Sequence, residues 1–309
     1  MPRRPALERI CGRADRQTAA VHGFEATLFE LFNVVAPASA DLPVAAVTHQ
    51  IDFDSGHDGC WMRADPVYLH ADRDRLLLFD GTSFALDRTE AETLAAGVNA
   101  ALADRGLRVE IGRDPGRWYV RLPVPPEMLT TPPLAARGGS VAAALPRGGD
   151  AIRWLALANE VQMILHASRV NQARQARGAV PVNSLWWWGA GVLPAVSASP
   201  WSRVVATDPL AVGLARLRGC PCGESTIGAV VDRTLVVVDP QAERGADAAA
   251  AAALDRLSVV ENRWCAPLYA DLRAGRIDAL ELRTRDTWFR LTRFGRLRFW
   301  RPLSPFIAR

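Results

Sequence analysis

The stretch VNSLWWWGAGVLP, Val182 to Pro194, sets three consecutive tryptophans directly before Gly189-Ala190-Gly191. It joins the bulkiest side chains to the most permissive backbone. On an extended strand, successive side chains leave opposite faces, so Trp186 and Trp188 point one way and Trp187 the other. The rings either fill a seam between two packed parts of the chain or form an aromatic wall for a ligand or partner. The glycines let the backbone turn tightly beyond them.

At 309 residues the chain is long enough for two domains, or for one large domain with an insertion. No apolar run reaches the ~18 residues of a membrane span. The N-terminal MPRRPALERICGRADR has no apolar stretch of signal-peptide type, so a cytoplasmic protein with no membrane partner is expected. Five cysteines in no regular framework argue against structural disulfides. Cys220 and Cys222 in CPCG lack a second pair at zinc-site spacing and read as inert thiols in a turn. Every basic residue is arginine. Without lysine there is no Schiff base and no ammonium to hold a phosphate, so anion contacts fall to Arg forks, His, hydroxyls or backbone N–H groups.

Three helices are expected. Asp87 and Glu90 have the form of a capping box, and Ala91, Leu94, Ala95, Val98 and Leu102 follow at helical spacing until Gly106. A second helix begins at Asp150, with Trp154, Leu157, Ala158, Val161, Ile164 and Leu165 on one face. A third runs from about Ala246 to Leu272, kinked by Pro267. Strands are expected at 75–79, 107–111, 118–122, 203–207, 234–239 and 279–284, and the tail TWFRLTRFGRLRFW reads as a hairpin around Phe294-Gly295. Alternating strands and helices give an α/β class.

SRVNQARQARGAVPVNSLWWWGAGVLP resembles a segment of archaeal-type cofactor-independent phosphoglycerate mutases. Asn171, Arg174, Gly178, Pro181, Asn183, Gly189, Gly191 and Pro194 fall in register with that family's pattern. CWMRADPVYL, DRTEAETLAAGVNAAL and TDPLAVGLARLRG resemble further blocks in the same order. RADP, RWYVRL, NEVQM and VNSLWWWGAG are also similar to segments of a bacterial group described as regulatory RpfE-type, or as phosphoglycerate-mutase-like. The resemblance implies a degenerate alkaline-phosphatase-like α/β core, residues 1–50 and 185–309, with a smaller α+β domain inserted at 51–184. Arg203 and Val236 would then share a sheet of the core.

Such mutases transfer a phosphoryl group through a hydroxyl nucleophile and two divalent metals held by Asp and His. No His follows His166 here, and the family's late Asp-His pair reads Asp286-Thr287. Asp239 and Asp286 remain as isolated carboxylates. The nucleophile block aligns with GFEATLFELF, where Thr27 is the nearest hydroxyl. The expectation is therefore no catalytic residue, no metal and no cofactor.

The substrate side keeps more of the family's pattern. Arg63, Arg121, Asn171, Arg174 and Asn183 match anion-binding positions, and Trp188 replaces an arginine. Arg63, Asn171, Arg174 and Asn183 are expected to line one cleft for a small phosphorylated or carboxylated metabolite. The alternative is that Arg63 and Arg174 pair with internal carboxylates such as Asp65 or Glu160. The preferred reading is a non-catalytic, regulatory relative that binds such an anion or a protein partner. The other readings are an active metal-dependent mutase or phosphatase with relocated ligands, and an Arg-dependent nucleic-acid binder built on the C-terminal tail. The modest net charge of +4 weighs against the last.

Overall fold

The computed structural model describes residues 5–35, 37, 39–54, 58–73, 75–195, 198–223, 233–238, 257–284, 286–301 and 303. Helix α1 (Pro5–Arg13) and strand β1 (Asp15–Thr18) precede α2 (Phe24–Leu31) and α3 (Val44–Asp52). The long strand β2 (Cys60–Asp72) turns into β3 (Arg75–Phe79). Helix α4 (Arg88–Leu102), strands β4 (Val109–Ile111) and β5 (Trp118–Leu122), and the short helices α5 (Pro133–Ala136) and α6 (Val141–Ala144) follow. Next come α7 (Ala151–His166), α8 (Arg169–Ala176), β6 (Ser184–Gly191), β7 (Arg203–Val205), α9 (Pro209–Leu217), β8 (Cys222–Gly223) and β9 (Thr234–Val236). The described chain closes with a helix at Ala266–Ala274 and strands β10 (Ala279–Arg283) and β11 (Thr287–Thr292).

The fold is mixed α/β, with three sheets among the described residues. The largest is antiparallel, in the order β3-β2-β5-β4, with β6 paired along β2 from Trp61 to Val67. A small parallel sheet runs β8-β7-β9 and sets Arg203 opposite Thr234 and Val205 opposite Val236. The third, β1-β11-β10, joins the two ends of the described chain and packs on α1 and the Ala266–Ala274 helix through Ile10, Leu272 and Leu291.

Strand β6 sits between two cores, and all eight of its residues are buried. Trp187 joins Trp118, Trp154, Leu94 and Val161 on the side of α4 and α7. Trp186 and Trp188 join Phe29, Val47, Val204 and Leu214 on the side of α2, α3 and α9. The glycines that follow admit the start of α3. Gly189 has φ +65°, and a Cβ there would lie 3.0 Å from Val44 Cβ. A Cβ on Gly191 would lie 2.7 Å from Pro43 Cβ. The tryptophans fill both faces of the strand, and the glycines let a helix close over its end.

Helix α4 forms where its pattern predicts. Asp87 accepts the Glu90 N–H at 2.8 Å, and the Glu90 carboxylate accepts the Asp87 N–H. Ala91, Leu94, Ala95, Val98 and Leu102 are its buried positions, and Gly106 takes the left-handed conformation after a 3-10 turn. Helix α7 buries Trp154, Leu157, Val161 and Leu165.

Two expectations change. The tail is not a hairpin about Phe294-Gly295. Strand β11 is central, flanked by β10 and β1, and residues Gly295–Leu297 form a 3-10 turn. One of the two partners of β11, β1, comes from the far end of the chain, which local alternation cannot reveal. The third helix is described only from residue 257, so its expected Ala-rich first half lies outside the described residues. Ahead of Pro267 it widens into a π turn, Glu261–Cys265. A proline has no N–H to donate and its ring crowds the preceding turn, and the wider turn accommodates both.

Candidate functional site

Register assembles the site. On β2, Arg63 lies opposite Tyr119 of β5 and opposite Trp188 of β6. Directly opposed residues share a face, so the guanidinium sits 5.1 Å from the Tyr119 ring centroid and 5.3 Å from that of Trp188. Asp65, two residues on, has its side chain on the same face. It accepts Arg63 Nε at 3.0 Å and Nη2 at 2.7 and 2.9 Å, Trp188 Nε1 at 2.8 Å and the Trp118 N–H at 3.2 Å. Both charged residues are buried. The Nη1 of Arg63 has no hydrogen-bond partner among the described residues.

A second ion pair braces the first. Asp52, at the end of α3, accepts Arg117 Nε at 2.8 Å and Nη2 at 2.6 Å, and the Tyr119 hydroxyl at 2.6 Å. Burial alone would raise the Asp52 pKa, but the Arg117 bonds and charge, with Tyr119, hold it below the usual carboxylate range. Burial pushes the Tyr119 hydroxyl upward, so it stays protonated and donates.

Arg63, Asp65 and Trp188 form one wall of a cleft of about 530 Å³. The first turns of α2, α3 and α9 reach it through Phe24, Val44 and Pro209. The first turn of a helix presents N–H groups and the positive end of its dipole. Asp208 caps α9 by accepting the Ala211 N–H at 2.8 Å, whereas the N-caps of α2 and α3, Gly23 and Pro43, make no side-chain cap bond. Five carboxylates line the cleft: Asp65 pairs with Arg63, Asp80 with Arg137, Asp114 with Arg117 and Asp208 with the start of α9, and Glu25 is buried in the first turn of α2.

The expected site residues divide. Arg63 and Trp188 come together at the cleft. The side chain of Asn171 is buried in the backbone, donating to Leu165 and Val182 carbonyls at 2.7 and 2.6 Å. Arg174 is buried between Glu90, the Ala85 carbonyl and the Val180 carbonyl. Asn183 pairs with the Leu69 N–H and carbonyl at 2.7 and 2.8 Å and extends the β2–β6 ladder. Arg121 is exposed on β5, 6.0 Å from the Trp61 ring. None of these four lines the cleft. For Arg63 and Arg174 the internal-carboxylate alternative describes the geometry, with Glu90 rather than Glu160 as the partner of Arg174. Glu160 instead pairs with Arg105.

Sequence reasoning did not find Asp52, Arg117 or the start of α9 as parts of the site. The sequence signals were RWYVRL for Arg117 and the Asp208-Pro209 start of TDPLAVGLARLRG for α9, neither of which was assigned a role in the site. Thr27 donates its hydroxyl to the Gly23 carbonyl at 2.8 Å, within its own helix. Thr48, on the cleft, donates to Val44 at 2.9 Å. Asp286 sits in the β10–β11 turn beside Thr284 and Thr287, and Asp239 lies outside the described residues. The Cys220 thiol donates to the Trp201 carbonyl at 3.2 Å, and both Cys220 and Cys222 are free. Among the described residues, no group of three His, Cys, Asp or Glu side chains is placed to hold a metal ion. No helix of the described residues is long and apolar enough to cross a membrane.

No protein-family model matches the chain. A stretch of 67 residues is 37% identical to a probable 2,3-bisphosphoglycerate-independent phosphoglycerate mutase of Geobacter sulfurreducens, covering 22% of this chain and 17% of that protein. A stretch of 80 residues is 32% identical to a 2,3-bisphosphoglycerate-independent phosphoglycerate mutase of Methanothrix thermoacetophila, covering 26% of this chain and 20% of that protein. The matched chain thus spans about a fifth of the length of these curated relatives. Of solved structures, the cofactor-independent phosphoglycerate mutase from Thermoplasma acidophilum aligns over 93% of this chain and 82% of its own, at 17% identity and a TM-score of 0.38. A protein of Pyrococcus horikoshii aligns over 71% and 54%, at 13% identity and a TM-score of 0.37. The chain is similar, in part and at low identity, to cofactor-independent phosphoglycerate mutases.

Proposed function

We propose that this is a catalytically degenerate, phosphoglycerate-mutase-like protein of the regulatory RpfE-type group, and that its cleft binds a small phosphorylated or carboxylated metabolite. The observation that carries the reading is Arg63. It is held by Asp65 and two aromatic rings, with Nη1 left over at a cleft onto which three helix N-termini open. An anion there gains a guanidinium donor and helix N–H groups together. In this reading residues 51–184 are an insert, and the cleft draws its walls from the insert and the core alike. The missing chemistry supports a binding role. The chain has no lysine, no histidine beyond His166, and hydroxyls at Thr27 and Thr48 that are committed to helix carbonyls.

Thermal unfolding with millimolar 3-phosphoglycerate and related carboxylates tests the proposal. A ligand that binds only the folded state at about 100 times its Kd adds about 2.7 kcal/mol, which raises Tm by several degrees. Arg63→Lys keeps the charge beside Asp65 but loses the planar fork, and it should abolish the rise. Arg174→Lys, away from the cleft, should retain it. No rise with any such metabolite, or a rise that survives Arg63→Lys, would overturn the binding site. Mutase turnover on addition of a divalent metal would overturn the degenerate reading.

A further inference from the structure

The segment after β11 is fixed in place, yet it leaves its largest apolar side chains uncovered. Arg298 donates to Asp15 at 2.6 and 3.0 Å and to the Arg13 carbonyl at 3.2 Å. Arg301 donates to the Ala14 carbonyl at 2.6 Å, and Arg13 reaches back to the Arg296 carbonyl. These contacts tie residues 296–301 to the start of β1. Even so, Phe294 is 68% exposed, Leu297 55%, Phe299 82% and Trp300 67%. Phe294 and Leu297 stand three apart across the 3-10 turn, which sets them on one side. The Phe299 and Trp300 rings meet edge to face at 5.3 Å. From Thr287 to Arg309 the sequence holds six arginines and no acidic residue. Among the described residues their counter-charges are Asp15, Asp278 and Glu281.

We propose that this turn docks the protein on the surface of an anionic phospholipid bilayer. Trp and Phe favour the headgroup level, and Leu297 adds a side chain that belongs in the acyl boundary. Arg293, exposed beside the Phe294 ring, can lay its stem along the apolar surface and give its guanidinium group to a lipid phosphate, while Arg298 and Arg301 hold the turn. A bilayer suits the set better than a nucleic-acid strand does. Base stacking uses open aromatic faces spaced along a groove, whereas here the Phe299 and Trp300 rings pack on each other and Leu297 offers no plane. The protein would lie on the membrane rather than span it, so the lack of a spanning run does not oppose the proposal.

The test uses the full chain with vesicles of phosphatidylcholine alone and of phosphatidylcholine with phosphatidylserine, near physiological salt. Co-sedimentation is expected with the phosphatidylserine vesicles and only weakly with the neutral ones. Phe299→Ser/Trp300→Ser should weaken binding about tenfold or more, and Arg293→Gln by about fivefold. Circular dichroism melts should show both variants folded. Three results would overturn the proposal: no retention on phosphatidylserine vesicles, retention unchanged in the double variant, or an oligothymidylate bound through the same aromatic pair more tightly than the vesicles.

Discussion

Strand β6 and the turn after β11 are built from the same materials, aromatic rings beside a glycine, and they meet opposite fates. Trp186, Trp187 and Trp188 are all buried, while Phe299 and Trp300 are mostly exposed. The difference lies in what the backbone can offer. β6 pairs with β2 and has helices over both faces, so period-two alternation sends each indole into a core. The C-terminal turn lies outside any ladder, and arginine bonds to β1 hold its backbone in place of apolar packing. Aromatic residues become core only when a neighbour supplies a second surface.

The sharpest way to break the comparison is to truncate one ring on each side of β6. Trp187 packs on Trp154 at 5.2 Å within the larger core. Trp187→Ala should cost about 3–5 kcal/mol in denaturant unfolding. Trp187→Phe should cost much less, because the indole N–H of Trp187 is buried without a hydrogen-bond partner. Trp188 differs, because its N–H donates to Asp65 at 2.8 Å. Trp188→Phe therefore removes a bond to a buried carboxylate, a loss of about 1.5–3 kcal/mol. If the two Phe variants lose equal stability, the indole N–H of Trp188 is not structural.

Gly189→Ala comes next, at about 1–3 kcal/mol. It combines a φ of +65° with a Cβ 3.0 Å from Val44 Cβ, and the same unfolding curves measure it. A neutral result would mean that α3 can move away from the strand end.

Much of this was legible in the sequence, for local reasons. The Asp87 and Glu90 box, the α4 and α7 stripes and the two-faced tryptophan strand each rest on residues within a few positions of one another. Pairings between distant segments were not legible. β1 reaches β11 from the other end of the chain, and Arg63 meets Tyr119 and Trp188 only because β2 lies between β5 and β6. The Arg63 partner, Asp65, was within reach because it lies two residues along the same strand. The Arg174 partner was not: an arginine in α8 closes on Glu90, the residue that also completes the α4 capping box. Motif spacing grouped Asn171, Arg174 and Asn183 with Arg63, but the fold uses those three to join α8 to α7 and α4, and the approach to β6 to β2.

The ion pair beside the cleft has a pH signature of the same direction as the anchor of the exposed turn, where the bond from Arg298 holds the Asp15 carboxyl below its usual range. Asp52 sits below the usual carboxylate range in the folded state. Its stabilising contribution is therefore complete above the unfolded pKa of ~4 and is lost as pH falls through the lower folded value. Asp52→Asn should flatten the acid limb of the stability profile below about pH 4 and leave the neutral-to-alkaline limb unchanged in shape. An unchanged acid limb would show that another carboxylate governs it.

The smallest effect belongs to the turn itself. Phe299 and Trp300 contact water over most of their surface, so replacing both by serine gives up little burial and leaves no cavity. Substitutions at such positions fall within about 0.5 kcal/mol. The backbone of the turn is held by Arg298 and Arg301 on Asp15, which the change does not touch. Stability of Phe299→Ser/Trp300→Ser should thus equal that of the parent in calorimetry, in contrast to Trp187→Ala, although two aromatic rings are lost instead of one. Asp15→Ala should separate the two roles in the same segment. It removes the acceptor that anchors the turn while keeping every exposed ring, and surface ion pairs of this kind hold about 0.2–1 kcal/mol each. A loss larger for the double serine variant than for Asp15→Ala would mean that the rings are packed in solution, and the contrast with β6 would fail.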